Sequence, residues 1–447
     1  MEDRRVIIVG GGIGGLASAY WASKLGYEVE ILEANDRPGG RIHSIEHRGD
    51  KVDVGAVFYH SDYRLAFELI DAVGLTRTRQ KVDGLVHFRL KSGDSFDYNH
   101  RIPYLKPLGL AGNFKVLLFM LRYLALGRRF RKYWIEKDIP EYDDRWAADI
   151  FKGRGAQEIN DYLLGMISMG ENAGVAEHMS VYHFIHLFRL TTFTDFVGLT
   201  GGTASLPVEL AKMLPIRYEA PVKQVVCERG RAVGVLMEGS NEVRKAGHVI
   251  VATDPAAAGR MMPDQLETQR DFLDNVMYSP IPSVVVFLDR PLKKDVWVYF
   301  NDITQERDFL VCIDQLAKMP EMVPSGKSIL WLAPAHPKSL RLARLPDDEL
   351  IKIALKDAEG MVPGVGSMVE HVEVFRHPYG VPQFPAGAYK ALLDFKEGIE
   401  DLKGVSFVSD IFGGHYMEAS LMSAKCAVDR LRQWGGCTGC PEPGLHE

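Results

Sequence analysis

Three glycines and one acid are the residues of this chain whose spacing most directly implies chemistry. Gly10, Gly12 and Gly15, in the stretch VGGGIGGL, fit the pattern G-x-G-x-x-G. The first glycine allows a tight turn, the second lets a pyrophosphate approach the backbone, and the third lets a helix pack closely on a sheet. Glu33 lies eighteen residues beyond Gly15, close to the spacing of about 20 expected for an acid that hydrogen-bonds a ribose. An acid there disfavours a ribose bearing a 2′-phosphate, which calls for an arginine instead. EANDRPGGRIHS (residues 33–44) then adds Gly39, Gly40 and Arg41. The two glycines let backbone approach a ligand a second time, and the arginine offers a forked donor to phosphate. A dinucleotide held through its ribose and one turn has no need of that second contact. One held extended, with a longer chain beyond the pyrophosphate, does.

These residues require a strand, a turn, a helix and a second strand in register. Val6–Val9 is a short apolar run of the kind that forms a buried parallel strand. A helix from about Ile13 to Leu25 aims its N-terminus, with free N–H groups and a favourable dipole, at the phosphates. Gly26 ends it. EVEILE is the second strand and carries Glu33 at its end.

The stretch from Glu33 to Arg41 resembles the Glu-Ala-x-x-x-x-Gly-Gly-Arg signature of the FAD-dependent amine oxidase superfamily, which includes amine oxidases, protoporphyrinogen oxidase and carotenoid desaturases. The resemblance continues in VDVGAVFYH (52–60), GLTGGTASLPVELAKML (198–214), APVKQVVCERGRAVGVLM (220–237), HVIVATDP (248–255) and VSFVSDIFGGHYMEASLMSAKCAVDRL (405–431). It therefore spans nearly the whole chain, in the family's order. It implies an α/β fold: a Rossmann-like FAD-binding domain of glutathione-reductase type, with an inserted α+β substrate domain of mixed sheet plus helices. It also implies FAD contacts at Gly10, Gly12, Gly14, Gly15, Glu33, Gly40, Arg41, Gly55, Ala56, Val222, Asp410 and Met417. Of these, Gly55 and Ala56, after Asp53, bring backbone alongside the flavin ring, and Val222 meets the adenine. Asp410 faces the pyrophosphate and ribityl region. Met417 opens a helix whose N-terminus favours negative charge on the ring. The cysteine that some relatives bond to flavin has no counterpart here, so FAD is expected to be non-covalent.

The motif order implies a discontinuous FAD domain (1–85, 201–262 and 391–436), a substrate domain (86–200 and 263–390) and a tail (437–447). The first insertion is helix-rich. The second contains the runs SVVVFLD, VWVYF, FLVCI, SILWLAP and VEHVEVF and the amphipathic stretch DDELIKIALKDAEGM. These read as strands of a mixed or antiparallel sheet and one helix. The active site is expected between this sheet and the flavin.

The resemblance also directs attention to three candidate catalytic residues. Amine oxidases of the superfamily hold the amine between two rings and keep a lysine near flavin N5. Tyr416 matches the second ring. Gly380 falls at the first, with Tyr379 beside it, and Ser283 stands where the lysine is expected. VPQFPAG (381–387) resembles the Pro-Gln-Tyr-Pro-x-Gly of protoporphyrinogen-oxidase-like enzymes. The reading is a FAD-dependent oxidoreductase that takes a hydride from a C–H bond of a mostly apolar small molecule, leaving C=C or C=N. The reduced flavin is then reoxidised by oxygen or another acceptor. The alternatives are a true amine oxidase and a redox-neutral flavin-dependent isomerase. His183 and His186, in SVYHFIHLFRL, are read as packing residues because no third ligand lies near them in sequence. No metal ligand and no general base are assigned.

Composition narrows the partners. The chain has 447 residues, 46% hydrophobic, with formal net charge −6, which argues against a general nucleic-acid footprint. Five cysteines are too few for a disulfide scaffold. The pair Cys437 and Cys440 is a weak zinc signal and is read as part of a tail without a role. No signal peptide precedes RRVIIVGGG, so a cytoplasmic location is expected. VLLFMLRYLAL (116–126) contains Arg122 and is too short to span a bilayer. Followed by Arg128, Arg129, Arg131 and Lys132, it suggests peripheral membrane contact through 116–132.

Overall fold

Five parallel strands are drawn together from three separated stretches of chain. Their order is Ile216–Arg217, Glu28–Leu32, Arg5–Val9, His248–Val251 and Val405–Phe407. Ile7 and Ile8 are fully buried, as expected of a central parallel strand covered on both faces. The helices Ile13–Lys24 and Met417–Trp434 lie together on one face, where a Cβ on Gly14 would come within 2.5 Å of Ser420 Oγ. A three-stranded sheet (Val222–Glu228, Arg231–Met237, Val243–Lys245) packs toward the other face through Val225 and Val235 against Val249 and Val251. From Arg5–Val9 the chain turns to Glu28–Leu32 on one side, while His248–Val251 lies on the other. That strand's C-terminal end is therefore a topological switch point, where ligands bind in open α/β sheets. The computed structural model describes residues 4–90, 93–99, 105–126, 140–263, 266–292, 295–302, 307–399 and 402–434. Arg128, Arg129, Arg131, Lys132, Cys437 and Cys440 lie outside them.

A seven-stranded sheet forms the second lobe. Its order is Val369–Pro382, Tyr278–Leu288, Ile329–Pro334, Phe309–Asp314, Val296–Phe300, Leu85–Arg89 and Ser95–Tyr98. The five runs read from the second insertion are its first five strands. The antiparallel pair Leu85–Arg89 and Ser95–Tyr98 was not anticipated from sequence. It joins through a parallel pairing with Val296–Phe300, which makes the sheet mixed. Side-chain alternation gives the long strand Tyr278–Leu288 two different neighbours. Val284 and Val286 pack on Leu350 and Ala354 of the helix Asp347–Met361. Val285 and Phe287 join the core shared with the nucleotide lobe, and Ser283 shares their side of the strand.

The first insertion supplies the helices Gly109–Leu126, Gly165–Asn172 and Val181–Phe193. The last is N-capped by Ser180, whose hydroxyl accepts from the His183 amide. Gly109–Leu126 buries Val116 but leaves Leu110 84% exposed, and Phe114, Leu117, Leu118 and Leu121 are also exposed. Among the described residues, no helix is long and apolar enough to cross a membrane.

Candidate active site

The signature residues converge at the C-terminal ends of the parallel strands. Gly10 has φ +105°, and a Cβ there would lie 2.5 Å from the Ala252 carbonyl oxygen. A Cβ on Gly15 would collide with the Gly10 carbonyl, which is the close packing expected of that position. Gly12 is different: a Cβ there would meet nothing within 4 Å. It is the N-cap of Ile13–Lys24, and among the described residues no side chain caps that end. The first turn therefore presents amide groups and the positive end of a dipole to open space, which suits an anionic ligand.

The second glycine pair lies against the first turn. The Gly39 amide donates to the Gly11 carbonyl at 2.9 Å, and Gly12 and Gly39 form a parallel bridge. The Glu33 carboxylate is buried beside them. It accepts from the Gly11 amide (2.6 Å), the Asn35 amide (2.8 Å) and Asn35 Nδ2 (2.6 Å). A carboxylate offers about four acceptor positions, so room remains for one further donor such as a ribose hydroxyl. The Ala220 amide donates to the Glu33 carbonyl, bringing the chain alongside just before Val222 starts its strand.

Arg41 is held by the far end of the chain. Its Nη1 donates to Asp410 Oδ2 at 2.7 Å and to the Gly380 carbonyl at 3.2 Å. Among the described residues no hydrogen bond engages Nε or Nη2, so those donors can still meet phosphate. Burial alone would raise the Asp410 carboxyl. The charge and hydrogen bond of Arg41 outweigh it and hold the group below its ordinary value.

Gly55 was read as a point of ligand approach. Its nearest constraint is instead internal: a Cβ there would collide with the Arg41 carbonyl, to which the Ala56 amide donates at 3.0 Å. Asp53, also buried, accepts from Ser44 Oγ, from the Thr203 amide and hydroxyl, and from Lys318 Nζ at 2.7 Å. Lys318 donates as well to the Val57 carbonyl, tying the segment Asp53–Phe58 to the helix Gln315–Lys318 of the second lobe. Nothing local in the sequence marks Lys318 for this.

The aromatic end of the site is built around Tyr416, just before the helix that Met417 opens. Its ring lies 4.1 Å from His415 and 6.0 Å, edge-on, from His60. His60 is buried; Nδ1 faces Thr194 Oγ1 at 2.8 Å and Nε2 faces Glu171 at 3.3 Å. Burial pushes the Tyr416 phenol well above its usual value and lowers His415 to about 4, so both are neutral near pH 7. His183 is a satisfied core residue: Nδ1 meets Tyr389 Oη at 2.6 Å and Nε2 meets Asn172 Oδ1 at 3.1 Å. His186 packs edge-on to Tyr182. The VPQF stretch locks onto the same region. Gln383 Nε2 donates to the Asn172 carbonyl at 2.9 Å, and Phe384 stacks on His183. The sequence reading missed Glu171, His60 and Asn172, which the fold brings together from distant segments.

The Tyr379 ring meets Tyr278 edge-on at 5.7 Å, and Tyr278 lies beneath the Arg41 guanidinium. A Cβ on Gly380 would collide with Ile281 and come within 2.8 Å of the Ser279 carbonyl oxygen. No ring fits at Gly380 on this backbone. Ser283 is fully buried, and among the described residues its hydroxyl has no hydrogen-bond partner.

The family model for flavin containing amine oxidoreductases matches residues 13–432. This chain belongs to that family. It is 25% identical to 4,4'-diapolycopen-4-al dehydrogenase of Metabacillus indicus, over 60% of this chain and 59% of that protein. It is 22% identical to coproporphyrinogen III oxidase of Bacillus subtilis, over 95% of this chain and 97% of that one. The fold is similar to that of cyclohexylamine oxidase from Brevibacterium oxydans, with TM-score 0.75 at 17% identity, covering 97% of this chain and 99% of the other.

The chain is thus a flavin-containing oxidoreductase with an α/β FAD-binding fold, and FAD is its cofactor. The residues present fit that group. The uncapped helix at Gly12 and the spare donors of Arg41 could hold its pyrophosphate, and Glu33 its ribose. Among the described residues the cysteines are Cys227, Cys312 and Cys426. Cys426 lies inside the helix Met417–Trp434, nine residues beyond Met417.

Proposed function

We propose that this enzyme removes a hydride from a C–H bond of a mostly apolar small molecule while the adjacent carbon or nitrogen loses a proton to water, leaving a C=C or C=N bond. Bound FAD supplies the hydride acceptor and passes the electrons to oxygen or another acceptor. The observation that carries the reading is Gly380. A second ring to oppose Tyr416 cannot be placed there without displacing Ile281. Ser283, at the expected lysine position, is buried and uncharged. What remains, Tyr416 with neutral His415 and the Gln383–Asn172 lock, is suited to orienting a substrate and excluding water. Orientation is what hydride transfer most needs. Two of the relatives above are named for 4,4'-diapolycopen-4-al and coproporphyrinogen III, which supports a substrate larger than a simple amine.

One observation favours the second reading, a true amine oxidase. Glu171 is a buried carboxylate near Tyr416, and a cationic substrate could draw on it, although His60 already faces it. The third reading, a redox-neutral isomerase, is separated by stoichiometry. Incubating the FAD-loaded enzyme with polyene and polycyclic compounds under oxygen or a two-electron dye should consume one acceptor per product. Rearranged product without acceptor consumption would overturn the proposal. We further propose that the exposed face of Gly109–Leu126 contacts lipid, where an apolar substrate would concentrate.

A further inference from the structure

A cluster outside the flavin site joins the two lobes. His47 ends the strand Ser44–His47, which pairs with Asp50–Asp53 in the nucleotide lobe. His371 and Glu373 lie two residues apart on Val369–Pro382, the edge strand of the second sheet, and so share one face. Glu373 Oε1 is 3.3 Å from His47 Nδ1 and 3.0 Å from His371 Nε2. The two imidazoles stack, with centroids 4.7 Å apart and planes 17° apart, and Phe287 packs against both. The three ligand atoms all lie within 4.8 Å of one another. Each residue is partly exposed, so water can reach the cluster.

Two arrangements satisfy nitrogens this close to one carboxylate oxygen. Each nitrogen can carry a proton, or one cation can replace the protons. Tetrahedral zinc with bonds of about 2.0–2.1 Å separates its ligand atoms by about 3.3–3.4 Å; the two distances to Glu373 lie close to that, and the stacked, partly exposed imidazoles must turn out of their stack for both nitrogens to point at the ion. Two imidazoles and one carboxylate are a borderline-soft set suited to zinc among the divalent metals. We propose that His47, His371 and Glu373 bind one zinc-class divalent ion, with water completing the coordination. The ion staples the nucleotide-lobe hairpin to the strand that carries His377, hydrogen-bonded to the Val54 carbonyl, and Gly380, which accepts from Arg41. Its role is structural and does not depend on which substrate the flavin site takes.

The test uses full-length, FAD-loaded protein stripped with EDTA and titrated with zinc chloride by calorimetry near neutral pH. One ion per chain should bind with Kd of about 10 µM or tighter, and zinc should raise the melting temperature. His47→Ala and His371→Ala should each weaken binding at least about tenfold and abolish the melting shift. Glu373→Gln, a surface change with little cost to folding, should weaken it as well. Cys437 and Cys440 take no part in this site, so Cys437→Ser/Cys440→Ser should leave the titration unchanged. No saturable binding up to about 100 µM, undiminished binding in the histidine variants, or loss in the cysteine variant would each overturn the proposal.

Discussion

Arg41 and Asp410 stand 369 residues apart in the chain and 2.7 Å apart in space. Their contact closes the nucleotide site by joining the turn after the second parallel strand to the segment after the last one. The Asp410 side chain is only 4% exposed, while Arg41 keeps 38% of its surface.

Arg41→Ala should therefore do two things. It should weaken FAD binding more than about tenfold, since a charged phosphate donor is lost. It should also destabilise the apoprotein by about 1–3 kcal/mol, less than for a fully buried pair because Arg41 is partly solvated. FAD titration and thermal unfolding read these separately, and unchanged FAD affinity would mean the pyrophosphate lies elsewhere.

Lys318→Met should cost more stability than Arg41→Ala. Both partners of the Lys318–Asp53 pair are nearly inaccessible, 1% and 2% by side chain. Removing one leaves a buried charge, at a cost of about 3–5 kcal/mol. Adding Asp53→Asn should recover part of that loss. Urea denaturation gives the comparison, and a single-variant cost below about 1 kcal/mol would show that the pair does not hold the lobes together.

Glu418 should make stability depend on pH. It sits in the first turn of Met417–Trp434 and accepts from the Leu65 and Ala66 amides at the start of the helix Arg64–Ala72. Burial raises its carboxyl from 4.5 to about 7 despite those donors. The folded state thus holds the proton more tightly than the unfolded one. The stabilisation is full below pH 4.5 and is lost as pH rises through 7. Relative to wild type, Glu418→Gln should gain stability between pH 5 and 8, by up to about 3 kcal/mol. Parallel stability curves for the two proteins would contradict this.

Leu110, Phe114, Leu117, Leu118 and Leu121 give Gly109–Leu126 an exposed apolar face. The protein should pellet with anionic vesicles at low salt and release at high salt. Phe114→Asp should abolish pelleting. Failure to pellet at low salt would leave that face without a lipid role.

Legibility in the sequence followed distance along the chain. Gly10, Gly12, Gly15 and Glu33 were readable because a strand, turn, helix and strand must be consecutive to place them, and all four lie within thirty residues. The five strands of the second insertion were readable from alternation. The pair Leu85–Arg89 and Ser95–Tyr98 was not, since its partner Val296–Phe300 lies some two hundred residues on and no local pattern names it. The same holds for Lys318, for Glu171 with His60, and for His47 with His371. Each is an ordinary residue locally and gains its role only through a long-range contact. Gly55 shows a subtler limit: its lack of a side chain was recognised, but the atom that requires it, the Arg41 carbonyl, appears only in three dimensions.

The most direct test of the account is anaerobic mixing of the FAD-loaded enzyme with a panel of small amines and of extended polyene or polycyclic compounds, following the flavin absorbance. With no second ring at Gly380 and no lysine at position 283, benzylamine-sized amines should bleach the flavin slowly or not at all. Extended apolar compounds should bleach it faster, because binding energy from their remote parts can orient the reacting C–H bond. Rapid bleaching by small amines, unchanged in Ser283→Lys, would contradict the account and make the enzyme an amine oxidase.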